Sequence, residues 1–296
     1  GNTGRGDYRA RRDGNLWRKK LWGKSMKVCF IGGGNMATAL IGGLLKQDFV
    51  AAQISVVEIN VSHHAKLYDE FGVQAVAELE VGVAGSDVIV LAVKPQQLHG
   101  VAISLAPLLT GQLLISIAAG IRAADLAQWL GSQNIVRAMP NTPALIQSGI
   151  TGLYALPAVS KVQCDTAQTI LGAVGSTIWL KDEVMMDAVT AVSGSGPAYV
   201  FYFIEALQQA ACELGFDAET ARHLAINTFS GAVKLADVSS DDVSVLRTRV
   251  TSKNGTTECA LLSMEANSVK QHIVTAVQAA AKRAREMGDE LGNAPC

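Results

Sequence analysis

The stretch Val28-Cys29-Phe30-Ile31-Gly32-Gly33-Gly34-Asn35-Met36-Ala37 decides the fold. Four apolar residues read as a short buried strand and three glycines as the turn that ends it. Met36, Leu40, Ile41, Leu44 and Leu45 then recur at helical spacing. Gly32, Gly34 and Ala37 fit the pattern G-x-G-x-x-A, and each small residue has a physical task. Gly32 permits the tight turn. Gly34 lets the backbone approach a pyrophosphate seated on the helix N-terminus, with Gly33, Asn35 and Met36 beside it. Ala37 lets the helix lie close on the strand. A second apolar run, Ile54 to Val57, ends at Glu58, where a ribose hydroxyl partner belongs, and Asn60 follows. The strand, turn, helix, strand and acid occur in the order a dinucleotide site requires.

Around this stretch the chain alternates. Apolar runs at 27–31, 54–58, 88–93, 113–117, 135–138, 150–154 and 176–180 read as strands, with amphipathic segments between most of them. That pattern predicts a parallel sheet covered on both faces, with ligands outside the carboxyl ends of its strands. Those ends carry the special residues. The run 88–93 includes Ala92 and Val93 and leads into Lys94-Pro95. Pro95 suits a first helical turn, and Lys94 is either a rim residue near the coenzyme or a solvated lysine. Ala118-Ala119-Gly120 is small enough for a nicotinamide ring to approach. Asn141 and Thr142 sit between two prolines and either bond a ligand or cap the turn.

Past Leu180 the strand-like runs stop. Helices are expected at 183–192, 197–214, 218–236, 240–249, 256–266 and 268–287. The expected organisation is an α/β Rossmann domain over residues 26–180 and an all-α helical domain over 181–296. The helical half is rich in alanine, and its apolar faces exceed what a monomer readily buries, so a homodimer is expected. Two stretches stand out there. Ser193-Gly194-Ser195-Gly196-Pro197 reads as a serine-capped helix start. Val250-Thr251-Ser252-Lys253-Asn254-Gly255-Thr256-Thr257-Glu258 joins two helices. Gly255 and the amides after it form either an ordinary helix start or an anion site, and so many small polar residues favour a carboxylate ligand held by Gly255, Thr256 and Thr257.

Composition narrows the class. The chain has 296 residues and a formal net charge of −1, so the whole gives no electrostatic case for nucleic acid. Residues 1–25 carry +6 and the remainder −7. This Arg-rich segment lacks the apolar run of a signal peptide. It reads as an appended remnant or disordered leader before Met26, with a nucleic-acid-binding arm as the alternative. The five cysteines are scattered and the five histidines lack ligand spacing, so no metal site is expected. Reduced thiols suit the cytoplasm, and no apolar run is long and uninterrupted enough to span a membrane.

With these residues in view, the chain resembles the pyrroline-5-carboxylate reductases. The markers are Phe30 to Met36, Ala92 to Pro95, Arg137 to Pro143, Ser193 to Tyr199, and Val250 to Ser252 with Gly255 to Thr257. The resemblance, spread over residues 26–290, implies reduction of a cyclic imine to proline by NADPH or NADH. It implies a Rossmann domain and a helical dimerisation domain, with dimers commonly assembled into decamers. It also implies a substrate carboxylate held by the amides of the Ser252–Thr257 loop, with Thr257 beside the substrate nitrogen and Val250 lining the site. Two positions depart from the family. Lys253-Asn254 replaces the usual Pro-Gly or Lys-Gly, and Asn tolerates the left-handed turn. Ile59 stands where an arginine often holds a 2′-phosphate, leaving Asn60, His63, His64 and Lys66 as substitutes. Glu58 favours a free ribose and so NADH, whereas the resemblance favours NADPH.

Two rival readings differ in chemistry. A 3-hydroxyacid dehydrogenase acts on a carbonyl and needs a proton donor, which the loop at Thr257 does not suggest. A non-catalytic dinucleotide-binding module would bind coenzyme without turnover.

Overall fold

The computed structural model describes residues 26–292; the leader expected over residues 1–25 lies outside them. Eight strands form one sheet: β1 (Val28–Ile31), β2 (Ile54–Val57), β3 (Gln74–Val76), β4 (Val88–Leu91), β5 (Leu113–Ser116), β6 (Ile135–Met139), β7 (Gly149–Ala155) and β8 (Gly175–Trp179). Their order is β3-β2-β1-β4-β5-β6-β7-β8. From β1 the chain builds outward through β2 and β3, then returns to place β4 on the other side of β1. That reversal opens a crevice at the carboxyl ends of β1 and β4.

The strands are apolar along their whole length because both faces are covered. On β1, Val28 and Phe30 point to one side. There they join Leu40, Ile41 and Leu44 of α1 (Asn35–Leu45). Cys29 and Ile31 point to the other side. Three further helices, α2 (Ser62–Phe71), α3 (Leu79–Val83) and α4 (Pro95–Leu105), follow in the chain, and then α5 (Ala123–Leu130). Leu98 and Leu105 of α4 and Leu126 and Leu130 of α5 meet Cys29 and Ile31. The helix α6 (Lys161–Gly172) returns to the first side, where Ile170 and Leu171 close the core. Ser160 starts it with a capping box to Gln163.

The expectation of an all-parallel sheet is corrected at one edge. β7 runs antiparallel to β6, with Arg137 opposite Tyr154. The nine residues between them hold only a 3₁₀ turn, Thr142–Ile146. A parallel return needs a crossover of a dozen residues or more. β8, which follows α6, is parallel to β7 again. The three-residue β3, too short to show alternation, was not among the expected strands.

The described residues divide into two compact units, one of residues 26–189 with 285–292 and one of Thr190–Ala284. The boundary expected at 180–183 lies a few residues before this division. Glu183 bonds Arg137 of β6 at 2.8 Å. Met186 is fully buried on α7 (Met185–Val189), and Val189 fills the space over Gly152 of β7. These contacts hold the segment to the sheet.

The second unit is helical throughout. A π-helical turn, Thr190–Gly194, precedes α8 (Gly196–Glu213), α9 (Ala218–Val238), α10 (Val243–Arg249), α11 (Thr256–Ala266) and α12 (Val269–Gly292), whose residues from 285 on count with the first unit. Asp217 caps α9 by accepting from the Thr220 amide at 2.9 Å, and the Thr220 backbone and hydroxyl bonds hold its carboxyl below the usual range. The expected serine cap of α8 is not used: Ser195 makes no capping bond, and Tyr199 Oη instead donates to Ala191 O across the π-turn at 3.1 Å.

Within this unit the buried apolar residues are four alanines: Ala191, Ala221, Ala225 and Ala284. Phe201 and Tyr202 are 65% and 70% exposed. A groove of ≈ 320 Å³ runs past Tyr199, Tyr202, Phe203 and Ile273. Burying one such aromatic is worth about 1.5–3 kcal/mol, so a second copy has much to gain by covering these helices.

Candidate functional site

The glycine turn is built by close approach. Gly32 has φ +103°, and a Cβ there would lie 2.8 Å from Ala92 O at the end of β4. Its amide donates to Val57 O of β2 at 2.8 Å, and the Ala92 amide donates to Ile31 O at 2.8 Å. The turn is thus threaded between the ends of β2 and β4, and only glycine fits. Gly34 is different. It has φ −72°, ordinary for any residue, and a Cβ there would meet no atom within 4 Å. It is also the N-cap of α1 and supplies no side-chain cap. Helix geometry leaves the amides of Asn35, Met36 and Ala37 without partners four residues back. Exposed Gly34 and Asn35 frame this open N-terminus, while Ala37 is buried against the sheet. Open space and unpaired donors at a helix N-terminus fit a pyrophosphate.

Glu58 closes the far side. Its Oε2 accepts the Gly33 amide at 2.9 Å and its Oε1 accepts the Asn60 amide at 2.9 Å. The carboxylate therefore fixes the turn as well as marking the ribose position. Asn60 turns its Oδ1 onto the Ser62 hydroxyl at 2.7 Å and starts α2, so its side chain is committed locally. His63 Nδ1 stands 3.9 Å from Glu58 Oε2, and His64 Nε2 lies 2.6 Å from Glu58 O.

Along the strand ends, Ala92 and Val93 are half-buried, and exposed Lys94 is the N-cap of α4 with Pro95 in its first turn. Ala118 and Gly120 are buried beyond β5, and Gly120 has φ +77°. Asn141 is also buried, and its Oδ1 accepts the Ile150 amide of β7 at 3.0 Å. Of the two readings left open for Asn141, this bond is the structural one, since it holds the turn from β6 to β7. Gly32 to Ala37, Glu58, Ala92 to Pro95, Ala118 to Gly120 and Asn141 all stand at the carboxyl ends of adjacent strands. Cys29 lies beneath them on β1; burial pushes its thiol up to about 11, so it is no nucleophile at neutral pH.

The second cluster lies between α10 and α11. Val250 ends α10 and is exposed. Asn254 has φ +60°, the left-handed turn expected of it. One expectation is corrected here. The Gly255 amide, expected to face a carboxylate, donates to Ser252 O at 3.0 Å because the turn at Asn254 folds it back. A Cβ at 255 would run into Ser252 Oγ and lie 3.0 Å from Ser252 O, so a side chain there would make the serine hydroxyl turn away. The amides of Thr256 and Thr257 remain unpartnered at the start of α11, and Gly255 gives no side-chain cap. Glu258 Oε2 accepts the Asn254 amide at 2.6 Å, a contact that the turn signal did not suggest.

Other residues near the strand ends escaped sequence reasoning. Glu183 Oε1 accepts both Arg137 Nη1 at 2.8 Å and the Ala123 amide at the start of α5 at 2.7 Å. Arg122 pairs with Asp289. These partners are far apart in the chain, and no local spacing announces them.

Comparison with known proteins fits this geometry. The family model for pyrroline-5-carboxylate reductase dimerisation matches residues 183–287, and that for NADP oxidoreductase, coenzyme F420-dependent, matches 27–120. The chain is 47% identical to the pyrroline-5-carboxylate reductase of Pseudomonas aeruginosa over 268 residues, 90% of this chain and 98% of that one. Among solved structures, the Coxiella burnetii pyrroline-5-carboxylate reductase superposes with a TM-score of 0.85 at 39% identity, covering 89% of this chain and 98% of that one. The Plasmodium falciparum pyrroline carboxylate reductase, solved with NADP bound, gives 0.80 at 31% identity, covering 89% and 98%. The helical unit is accordingly a self-association domain. The chain belongs to the pyrroline-5-carboxylate reductase family, enzymes that reduce pyrroline-5-carboxylate to proline with NAD(P)H.

Proposed function

We propose that the open N-terminus of α1 at Gly34 holds the coenzyme pyrophosphate and that the start of α11 holds the substrate carboxylate. The first assignment rests above all on the empty space at Gly34 beside unpaired amides. Gly32, Gly33 and Glu58 set the turn. Asn35, Met36 and Ala37 present donors, and Ala92, Val93, Lys94 and Pro95 flank the path along the sheet. Ala118 and Ala119 leave room for the nicotinamide, which supplies hydride when bound, and Gly120 turns the loop behind them.

In the second cluster the amides of Thr256 and Thr257 bind the carboxylate. Ser252 adds its hydroxyl, Val250 lines the approach, and the Thr257 hydroxyl faces the ring nitrogen. A carbon–nitrogen double bond accepts hydride readily when protonated, so the protein's task is orientation and exclusion of water. Oxidation of NADPH on addition of pyrroline-5-carboxylate tests the whole assignment. Coenzyme binding without turnover would favour the regulatory-module reading.

NADPH is the proposed coenzyme, as in the NADP-bound Plasmodium relative, with NADH as a slower alternative. Glu58 is the residue that opposes a 2′-phosphate. Glu58→Gln removes that charge and weakens the acceptor for a free ribose. The ratio of kcat/KM for NADPH over NADH should rise by about tenfold, the equivalent of one charge-assisted hydrogen bond. Steady-state kinetics with both coenzymes measures it, and an unchanged ratio removes Glu58 from coenzyme choice.

The proposed assembly is a homodimer through the helical unit, with decamers built from dimers, in the cytoplasm. The unpaired state of the four cysteines among the described residues accords with a reducing compartment. No helix among the described residues is long and apolar enough to cross a membrane. Sedimentation of the intact chain should show a dimer or a multiple of it. A stable, soluble monomer at micromolar concentration contradicts the proposal.

A further inference from the structure

We propose that the last two turns of α12 position the loop Ile117–Arg122 against the nicotinamide, with Arg122 and Asp289 as positioning residues. The inference rests on the placement of the nicotinamide at Ala118 and Ala119. Gly120, at φ +77°, lies under α12: a Cβ there would come 3.0 Å from Leu291 Cδ1 and 3.4 Å from Met287 Cβ. The helix answers with glycines of its own on one face. A Cβ at Gly288 would lie 3.3 Å from Arg122 Nη2 and 3.5 Å from Gly120 O, and one at Gly292 would lie 2.6 Å from Asp125 Oδ2. Leu291 packs on the core layer that contains Ala118, Ile121 and Leu126. Arg122 Nη2 is paired with Asp289 Oδ1. The residue after Arg122 is held as well, its amide (Ala123) donating to Glu183 Oε1 at 2.7 Å, and at the loop's start the Ile117 amide donates to Leu91 O of β4 at 3.1 Å.

The carboxyl end of the loop is therefore gripped by residues distant in the chain, and α12 approaches it closely at glycines. The ion pair itself is exposed, 42% at Arg122 and 60% at Asp289. Pairs so exposed add little to folding. What this one does is fix the direction of the loop's last residue, and with it the backbone that shapes the nicotinamide pocket. Small displacements of a reacting group lower turnover steeply.

The test uses the full-length enzyme with Asp289→Asn, an exposed conservative change, and the charge exchange Arg122→Asp with Asp289→Arg. Asp289→Asn should lower kcat by about tenfold and raise the primary isotope effect with 4-deuterated NADPH, while the dissociation constant for NADPH changes less than twofold. The exchanged pair should recover most of kcat. Unchanged kcat overturns the proposal. So does a fall with unaltered isotope effect and a lowered melting point, because that is a purely structural defect. Failure of the exchange to recover activity overturns it as well. Ala119→Leu is the control for the underlying placement. If it leaves turnover intact, the nicotinamide lies elsewhere and the proposal falls with that placement. If it abolishes turnover while Asp289→Asn has no effect, only the positioning role fails.

Discussion

Gly34→Val abolishes coenzyme binding and leaves the fold intact; that is the expected result with the largest effect. Position 34 has φ −72°, and a Cβ there meets nothing within 4 Å. Neither backbone strain nor collision opposes a side chain in the free protein. The valine methyls instead occupy the space assigned to the pyrophosphate, and they keep it from the amides of α1. Losing two charge-assisted hydrogen bonds of about 1.5–3 kcal/mol each weakens binding by roughly 100-fold or more. Nicotinamide fluorescence titration reads the affinity, and thermal melting reads the fold. Unchanged affinity in a folded variant would take Gly34 out of the site. The neighbouring glycine gives the opposite signature. Gly32→Ala places a Cβ 2.8 Å from Ala92 O at φ +103°, so its first casualty is stability.

The second large effect belongs to Thr257→Val. The change keeps the side chain's shape and removes the hydroxyl proposed to face the ring nitrogen. A lost hydrogen bond to a charged group costs about 1.5–3 kcal/mol, which is roughly a 10- to 150-fold fall in kcat/KM. Coenzyme affinity should not move. Helix capping is a poor competing account: the N-cap is Gly255, and among the described residues no hydrogen bond is made by the Thr257 hydroxyl. The melting temperature should therefore hold. Full activity with a lowered melting point would sink the substrate assignment and restore Thr257 to a local structural role.

The glycine turn was legible because its signals are local. Gly32, Gly34 and Ala37 lie within six residues, and that spacing already carries the tight turn at Gly32, the open space at Gly34 and the burial of Ala37. Helix boundaries in the second half were legible for the same reason; α11 spans Thr256–Ala266 as expected. What escaped reading depends on contacts that spacing does not encode. Asn60 and Asn141 read as available polar groups, but their oxygens are taken by Ser62 and Ile150. The Gly255 amide read as a donor to substrate until the turn at Asn254 returned it to Ser252 O. The reversal of direction at β7 lies in the length of a loop rather than in its residues. Arg122 and Asp289, separated by 167 positions, carry no mutual mark at all.

The four buried alanines of the helical unit have a thermodynamic consequence. A segment with so small a core cannot fold first and associate afterwards, so folding and association form one equilibrium governed by mass action. The melting temperature should then climb as the protein is concentrated and drop on dilution. A variant weakened at Phe201 or Tyr202 would pass for a folding mutant in a dilute assay and for a near-normal enzyme in a concentrated one.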